Sequence, residues 1–258
     1  MSSEVLLVVA HGSRDPRHAA TVHALVRRVR SLRPGLRVET AFLDFNLPSV
    51  PGTLDRLAAE GVRDVVALPL LLTRAFHAKA DIPAVLRQAP PSLRIRQAEV
   101  LGPSPLLIAA LERRLYEAGL TPGLAAGSAA WRRAVDEMKR STGVVLASAG
   151  STDPEAIAAI AETARELRRT GWCSVRPAFA SASLPRTEDA VRAMRADGLR
   201  RVAVAPYVIA PGRLPDRIAA GAVEADVLAD VLGPSEELAR LLLQRHDACR
   251  TAQRVAVA

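Results

Sequence analysis

The sequence predicts an α/β protein made of two tandem, duplicated halves, each a small parallel sheet with helices on both faces. Two observations predict this fold. Short apolar runs alternate with segments whose apolar residues recur every three or four positions, as strands and amphipathic helices do. The same series of motifs also occurs twice along the chain. Strands and helices that alternate with short connections form right-handed crossovers, which give parallel sheets covered by helices.

The first predicted strand and helix begin the first half. Residues 5–10, VLLVVA, are an unbroken apolar run typical of a buried parallel strand. Asp15 and Pro16 then supply a helix N-cap and a proline at the first helical position. Apolar residues follow at helical spacing, at Val22, Leu25, Val26, Val29 and Leu32. The Pro-Gly pair at 34–35 ends this helix, and LRVETAFL, residues 36–43, is the second predicted strand.

The rest of the first half continues the alternation. A helix is predicted from about Pro48 to Gly61, followed by a third strand over VVALPLLL, residues 65–72. The next helix is expected from about Ala78 to Gln88, and the fourth strand over LRIRQAEV, residues 93–100. A helix that begins at Pro103 completes the unit near Gly119.

The second half of the chain is predicted to be a duplicate of the first. Four motif pairs occur in the same order and at nearly one offset. The pairs are LVVAHGSRDP (7–16) with VLASAGSTDP (145–154), AFLDFNLPS (41–49) with AFASASLPR (178–186), GVRDVVALP (61–69) with GLRRVAVAP (198–206), and LGPS (101–104) with LGPS (232–235). The predicted domains are therefore residues 1–120 and 143–258, joined by a linker and connecting helix over 121–142.

The charge of the chain suggests an anionic partner but does not identify it. The formal net charge is +8, almost all of it from an excess of arginine, and a basic surface attracts polyanions. Nucleic acid and a small anionic substrate are the two candidates, although a GC-rich genome also raises arginine and alanine content. The arginines are spread over helical faces without a basic tract, a zinc knuckle or an aromatic-studded strand. This distribution argues against nucleic acid.

Composition also limits the compartment and the cysteine chemistry. No apolar run approaches the roughly 20 residues of a membrane span, and the N-terminal stretch lacks a basic start and a cleavage motif. The sequence therefore predicts a cytoplasmic protein without membrane contact. Cys173 and Cys249 are far apart and have no metal-ligand spacing, so neither a disulfide framework nor a zinc site is expected. Pairing of two halves within one chain favours a monomer.

Three polar residues of the first half are missing from its duplicate. The aligned pairs are His11 with Ala149, Asp44 with Ser181, and His77 with Leu214. All three follow the carboxyl ends of predicted parallel strands, where open sheets bind ligands. Two imidazoles and a carboxylate suit a divalent first-row metal held with open positions, and a neutral imidazole can also accept a proton. The sequence thus predicts a metal-handling site at one sheet edge.

Each of these residues also has a structural interpretation. His11 could cap the turn into the first helix, and His77 could be an exposed turn residue. An aspartate at a strand end, such as Asp44, is commonly a turn or cap residue. Ser13 and Asp15 recur in the half that lacks the histidines, which favours turn and cap roles for them.

The remaining histidines are not expected to take part in the site. His18 and His23 lie five residues apart on the first predicted helix, so they do not share a face and are expected to face solvent. His246 lies near a charged tail and gives no functional signal.

Three motifs of the first half match a known family. They are LLVVAHGSRDPR (6–17), AFLDFNLPS (41–49) and LPLLLTRAFHAKADIP (68–83). In these motifs a strand leads into HGSR, a strand-end acid precedes a Pro-Ser helix start, and a strand precedes His-x-x-x-Asp-Ile-Pro. The sequence here resembles the CbiX/SirB group of class II tetrapyrrole chelatases. The resemblance is specific over residues 5–90 and consists mainly of scaffold residues beyond them; the long members of the group are fused duplicates.

The resemblance implies two tandem chelatase-like domains and a metallation activity. Members insert Fe²⁺ or Co²⁺, and some Ni²⁺, into sirohydrochlorin or related macrocycles without ATP or a tightly bound cofactor. His11 and His77 match the two metal-handling histidines of the group, and Asp44 stands where many members have glutamate. A sirohydrochlorin ferrochelatase of siroheme synthesis is favoured. A cobaltochelatase of cobalamin synthesis and a non-catalytic tetrapyrrole or metal carrier are the alternatives. Whether His77 holds the metal, accepts the pyrrole proton or does both remains open.

The resemblance also gives the basic composition a use, because sirohydrochlorin carries many peripheral carboxylates. The predicted substrate-binding residues are Ser13, Arg14, Arg74 and Arg213, of which the arginines suit bidentate binding of carboxylates. A macrocycle needs a wide cleft, and a groove between the two halves is the expected place. Apolar surface there is expected from Tyr207, Val208 and Ile209.

Overall fold

Among the residues that the structure describes, the first half of the chain contains four strands and four α-helices. The computed structural model describes residues 4–74, 77–123, 125 and 127–256, without the side chains of residues 77 and 252–256. The strands are β1 (Val5–Ala10), β2 (Arg37–Phe42), β3 (Asp64–Pro69) and β4 (Arg94–Gln97). The helices are α1 (Pro16–Leu32), α2 (Val50–Ala59), α3 (Ile82–Leu86) and α4 (Pro105–Glu117), and a π-helical turn at His77–Asp81 leads into α3.

The second half repeats this arrangement after a connecting helix. Its strands are β5 (Thr142–Ser148), β6 (Ser174–Phe179), β7 (Arg201–Tyr207) and β8 (Val227–Leu228). The connecting helix is α5 (Ala129–Ser141), and the helices of the second half are α6 (Pro154–Arg169), α7 (Thr187–Ala196), α8 (Arg213–Gly221) and α9 (Glu236–Ala256). Within the described ranges, none of the helices combines the length and hydropathy that a membrane span requires.

Both sheets are parallel and have the same strand order. The first sheet runs β2-β1-β3-β4 and the second β6-β5-β7-β8, so each half places its first strand between its second and third. β1 and β5 are buried along their whole length, as the unbroken apolar run of residues 5–10 predicts. Each sheet forms its own core against its helices. The predicted fold class, a duplicated α/β protein with parallel sheets, is confirmed.

The local sequence signals for helix starts act as expected. The Asp15 side chain caps α1 by accepting from the backbone N–H of Arg17, and Asp153 caps α6 through Glu155 in the same way. In both helices a proline follows the cap, where its missing N–H costs no hydrogen bond. One predicted helix differs: the segment expected at 78–88 begins as a π-helical turn and ends at Leu86.

The chain divides into two compact units that are not the two sequence halves. The first unit is Met1–Leu106 with Pro234–Ala258, and the second unit is Leu107–Gly233. The predicted domains are residues 1–120 and 143–258. The compact units differ from them by the helix that ends each half and by the connecting segment 121–142, which belongs to the second unit. From Leu107 onward α4 belongs to the second unit, and α9 belongs to the first.

Side-chain contacts explain this exchange of terminal helices. In the second unit, Glu112 of α4 accepts hydrogen bonds from Lys139 Nζ at 2.5 Å and Trp172 Nε1 at 3.2 Å. In the first unit, Arg245 of α9 donates to the carbonyl of Leu101 at 2.8 Å. α4 therefore packs in the unit that contains the strands of the second half, and α9 packs in the unit that contains the strands of the first half.

Candidate functional site

His11 lies in a tight backbone crossing at the carboxyl end of β1. The residue is half-buried, and the next residue, Gly12, has a φ of +97°. A Cβ at Gly12 would lie 1.9 Å from the carbonyl oxygen of Asp44, so only glycine fits. The backbone N–H of Asp44 donates to the carbonyl of His11 at 2.9 Å. The crossing therefore fixes the backbone of His11 against that of Asp44.

Residues 44–48, here called the 44–48 turn, form the second wall of the crossing. The exposed Asp44 carboxylate accepts from the backbone N–H of Phe45 at 2.8 Å, and the N–H of Asn46 donates to the Asp44 carbonyl at 2.7 Å. The side-chain oxygen of Asn46 accepts from the N–H of Ser13 at 2.8 Å. The turn is thus connected to the loop after β1 by side chain as well as backbone.

Ser13 and Asp15 shape the loop that carries His11. The hydroxyl of Ser13 accepts from the N–H of Asp15 at 3.0 Å, and Ser151 makes the same contact with Asp153 at 3.0 Å in the second half. Hydrogen bonds from the Arg17 side chain and backbone hold the pKa of Asp15 below its usual value. These contacts agree with the turn and cap roles predicted for Ser13 and Asp15.

The Phe45 ring lies next to both the His11 ring and the Arg14 guanidinium. The ring centroids of His11 and Phe45 are 6.1 Å apart, with an interplanar angle of 85°, which is an edge-to-face contact. The guanidinium carbon of Arg14 lies 5.2 Å from the centroid of the Phe45 ring. The structure therefore brings together His11, Arg14 and Asp44 of the predicted residues, and adds Phe45.

His18 lies closer to this site than the sequence pattern indicates. The expectation that it faces solvent is wrong: it is half-buried, and its Nδ1 is buried without a hydrogen-bond partner among the described residues. Burial lowers the pKa of His18, and the nearby His11 lowers it further. His18 shares a helical face with the core residues Val22 and Leu25, so the apolar period of α1 already contained this signal.

His23 is also not a solvent-facing residue. It is half-buried, and its ring makes an edge-to-face contact with Phe42, with centroids 5.7 Å apart. Phe42 ends β2, so His23 packs on the sheet and supports the strand that leads into the 44–48 turn.

The remaining predicted residues lie in two regions of the chain, the segment after β3 and the start of α8. The backbone of His77 opens the π-helical turn after β3, and its side chain lies outside the described residues, so its place in the metal set stays a prediction. Arg74 is exposed just before this turn, and Arg213 is exposed at the first position of α8 in the second unit. The described side chains contain no group of three or more potential metal ligands, so the predicted three-member set depends on His77.

Two of the residues expected to supply apolar surface are buried in the second unit. Tyr207 ends β7, where it pairs with Ser148, and only 2% of it is exposed. Burial raises the pKa of its hydroxyl. Val208 packs in the core of the second sheet, and Ile209 is half-buried. The prediction that Tyr207 and Val208 present open apolar surface is wrong, because Tyr207 is buried as the last residue of β7 and Val208 packs in the core.

Comparison with known proteins gives one family. The CbiX family model matches residues 5–118 and 143–249. A sirohydrochlorin cobaltochelatase of Priestia megaterium is 27% identical over 217 residues, which are 83% of this chain and 66% of the relative. A cobaltochelatase of Methanococcus aeolicus is 31% identical over 83 residues, 32% of this chain and 58% of the relative. The chain thus spans less than two thirds of these two relatives. A sirohydrochlorin ferrochelatase of Priestia megaterium is 24% identical over 249 residues, 93% of this chain and 88% of the relative.

Solved structures share the fold over nearly the whole chain. The structure of SirB from Bacillus subtilis with Fe³⁺ has a TM-score of 0.78 at 22% identity, covering 96% of this chain and 95% of that one. The structure of CbiX described as the terminal enzyme for siroheme biosynthesis in denitrifying bacteria has a TM-score of 0.63 at 19% identity. It covers 95% of this chain and 98% of that one. At these identities the structures show the shared fold alone.

Proposed function

The chain belongs to the CbiX family, and on this basis we propose that it is a chelatase, a lyase that inserts a divalent metal ion into sirohydrochlorin. One observation carries the proposal. The two halves have the same backbone crossing at the end of the first strand, at Gly12 and at Gly150, but only the first half places a histidine beside it. A histidine added to a scaffold that folds without it indicates chemistry rather than packing.

The proposed reaction exchanges two pyrrole protons of the macrocycle for one metal ion. His11 acts as a weak ligand that delivers the ion, and imidazole is also basic enough near neutral pH to accept a pyrrole proton. The carboxylate of Asp44 offsets the charge of the ion at the same crossing. Burial lowers the pKa of His18, which disfavours a positive charge on its ring beside an arriving cation. His77 is proposed as the second metal-handling residue, as ligand, base or both.

The substrate carboxylates are proposed to bind to arginine side chains. Arg14 is exposed beside His11, and a guanidinium can bind a carboxylate through two parallel N–H donors. Arg74 and Arg213 are proposed to bind further carboxylates, and both are exposed. Ser13 is proposed to contribute through its loop position, since its hydroxyl already accepts from Asp15.

The proposed metal is Fe²⁺, and Co²⁺ is the alternative. Two imidazoles and a carboxylate bind several first-row metals, and their order of affinity does not select among them. Both named activities occur among the relatives of this chain, a ferrochelatase and a cobaltochelatase of the same organism. No tightly bound cofactor is proposed, because the metal ion is itself the substrate.

The working form is proposed to be a cytoplasmic monomer. The tandem duplication places both units in one chain, and each unit is completed by a helix from the other half. Cys173 and Cys249 are free thiols, as is usual in a reducing compartment. No role in binding nucleic acid or membranes is proposed.

A metallation assay tests the proposed function. Purified protein is incubated anaerobically with sirohydrochlorin and, in parallel, Fe²⁺, Co²⁺ or Ni²⁺, and the absorption spectrum of the macrocycle is followed. We expect the wild-type protein to accelerate the spectral change, and His11→Ala and His77→Ala each to slow it by about 10²–10⁴-fold. Ala149→His is the matched control, because it adds a histidine at the duplicate position, and we expect no change in rate.

Each alternative gives a different result in this assay. Stoichiometric binding of sirohydrochlorin without a metallated product would indicate a carrier. Unchanged rates in both histidine variants would refute the assigned site. The absence of acceleration and of macrocycle binding with all three metals would refute the function itself.

A further inference from the structure

Phe45 is an exposed aromatic residue at the candidate site, next to His11 and Arg14. It is 51% exposed, and its φ of +60° lies in the left-handed region, which a bulky residue rarely adopts. The duplicate residue, Ala182, has a φ of +61°. The strained backbone is therefore a property of the scaffold in both halves, whereas the ring is present only in the first.

The residues that contact the Phe45 ring are also specific to the first half. The cluster and its duplicate are His11 with Ala149, Arg14 with Thr152, and Phe45 with Ala182. Three neighbouring residues of the loop after the first strand are the same in both halves, namely Gly12 with Gly150, Ser13 with Ser151, and Asp15 with Asp153. A histidine, an arginine and a phenylalanine thus occur together where the duplicate has two alanines and a threonine, on a backbone that does not require them.

The geometry of the cluster suggests how these three side chains act together. The Arg14 guanidinium lies 5.2 Å from the ring centroid of Phe45, within the range of a cation–π contact. Hydrogen bonds hold the backbone of the turn that carries the ring, from the Phe45 N–H to the Asp44 carboxylate and from the Ser13 N–H to the Asn46 side chain. A guanidinium packed on an aromatic face keeps its in-plane N–H groups available for a carboxylate.

We propose that Phe45 is a positioning residue that acts through Arg14: its ring holds the guanidinium beside His11, ready to bind a carboxylate of the tetrapyrrole. This inference rests on the proposed function. An exposed arginine without such a support loses side-chain conformational entropy when it binds a carboxylate. An arginine already held on a rigid ring loses less of this entropy. The ring would therefore increase affinity for the macrocycle without touching the metal.

A double-mutant cycle on macrocycle affinity tests the proposal in the full-length protein. The dissociation constant of metal-free sirohydrochlorin is measured by absorption titration for the wild type, Arg14→Ala, Phe45→Ala and the double variant. We expect each single variant to weaken binding about fivefold to tenfold, and the double variant to bind no more weakly than Arg14→Ala alone. Phe45→Ala suits the backbone, because Ala182 adopts the same conformation in the duplicate.

Further variants separate the cation–π contact from simple apolar contact. Phe45→Trp is expected to bind like the wild type, because a tryptophan face attracts a guanidinium at least as well, and Phe45→Leu is expected to bind as weakly as Phe45→Ala. Leu47→Ala is the matched control on the same turn, where Leu47 is 82% exposed, and we expect less than a twofold change. In turnover assays Phe45→Ala should raise KM by the same factor and leave kcat within about threefold.

The possible contrary results are distinct. Additive losses in the double variant, or rescue by Phe45→Leu, would show that Phe45 acts independently of Arg14 and would overturn the proposal. Unchanged affinity in Phe45→Ala would overturn it as well. In all of these cases the wild type would still bind and metallate sirohydrochlorin, so the proposed function would stand. A wild type that does not bind the macrocycle would refute both.

Discussion

The edge of the first sheet and the equivalent edge of the second have the same backbone and different side chains. In each half the glycine after the first strand has a φ near +95° and faces a carbonyl oxygen of the following turn. In each half the turn then has a residue near φ +60° and a cis proline, at Pro48 and at Pro185. The donor that closes the crossing is Asp44 N–H in the first half and Ser181 N–H in the second.

This comparison separates what the fold needs from what the reaction needs. A close crossing of two backbones, with a positive φ on each side, persists where the ionisable side chains are absent. The crossing is therefore a requirement of the fold, and the proposed chemistry of the first half comes from side chains placed on it. Replacing residues in both halves at matched positions tests this separation directly.

The glycine of the crossing should give the largest effect on stability. Gly12→Ala and Gly150→Ala each place a Cβ 1.9 Å from a carbonyl oxygen at a positive φ. We expect each to lower the free energy of unfolding by about 2–4 kcal/mol, from the steric overlap and the backbone strain together. Chemical denaturation monitored by circular dichroism measures the change.

Gly61→Ala is the control for strain alone. Gly61 has a φ of +80°, but nothing lies within 4 Å of the position that an added Cβ would occupy, so a cost of only about 1 kcal/mol is expected. Near-wild-type stability of Gly150→Ala, together with a large loss in Gly12→Ala, would mean that the crossing is needed only where the histidine is. The separation of scaffold from site would then fail.

The exchanged terminal helices provide a second matched pair. Arg114 of α4 donates to the carbonyl of Leu232 at 3.0 Å, and Arg245 of α9 donates to the carbonyl of Leu101 at 2.8 Å. The two arginines occupy equivalent positions of the repeat, and so do the two leucines of the LGPS motifs. Arg245 also donates to the carbonyls of Val100 and Pro103. Arg245 therefore binds more backbone carbonyls than Arg114 does.

Removing these arginines should destabilise one unit at a time. We expect Arg245→Ala to cost about 2–3 kcal/mol in the first unit and Arg114→Ala about 1–2 kcal/mol in the second, because hydrogen bonds from charged donors to carbonyls are lost. Hydrogen exchange read by mass spectrometry distinguishes the units. Arg240→Ala, which removes only an exposed pair with Glu236, should change protection in neither unit. Equal loss of protection in both units after either substitution would contradict the assignment of the helices.

Much of the fold was predictable because its signals are local. The apolar run of β1, the cap at Asp15 and the helical period of α1 each depend on a few adjacent residues, and the structure contains all three. The exchange of α4 and α9 was not predictable from the repeat. A repeat gives the order of elements, but the carbonyl that Arg114 binds lies 118 residues away and depends on tertiary packing.

The candidate site was predictable in part for the same reason. Alignment of the halves identified His11 and Asp44, and the crossing between β1 and the 44–48 turn brings their backbones together. The same alignment pairs Phe45 with Ala182. The exposure of Phe45 was not predictable, because an aromatic residue in an apolar sequence is usually part of the core. His18 has no ligand partner at i,i+4 spacing, and only the buried face of α1 shows that its ring points inward.

Replacing His246 should give the smallest effect on stability, and it tests whether the two units respond differently to pH. The five histidines all belong to the first unit, and His246 of α9 is fully buried there, where the equivalent residue of α4 in the second unit is Leu115. Its Nε2 lies 3.0 Å from Glu4 Oε1 and its Nδ1 3.3 Å from Asp247 Oδ1. Burial lowers the pKa of His246 despite these carboxylates, and burial also lowers that of His18.

A histidine with a lowered pKa in the folded state makes the first unit sensitive to acid. Below about pH 6.5 the unfolded chain binds protons that the folded chain does not, so stability falls as the pH falls, by at most about 1.4 kcal/mol per pH unit for each proton. We expect His246→Leu, which copies Leu115, to flatten this dependence between pH 7 and pH 5 while His18 retains a part of it. Glu4 keeps its contacts with Arg96 and Arg250, and Asp247 keeps Arg33, so the substitution should change stability at pH 7 little. Hydrogen exchange at both pH values should show the first unit losing protection before the second. Earlier loss in the second unit, which has no histidine, would show that acid acts through other groups.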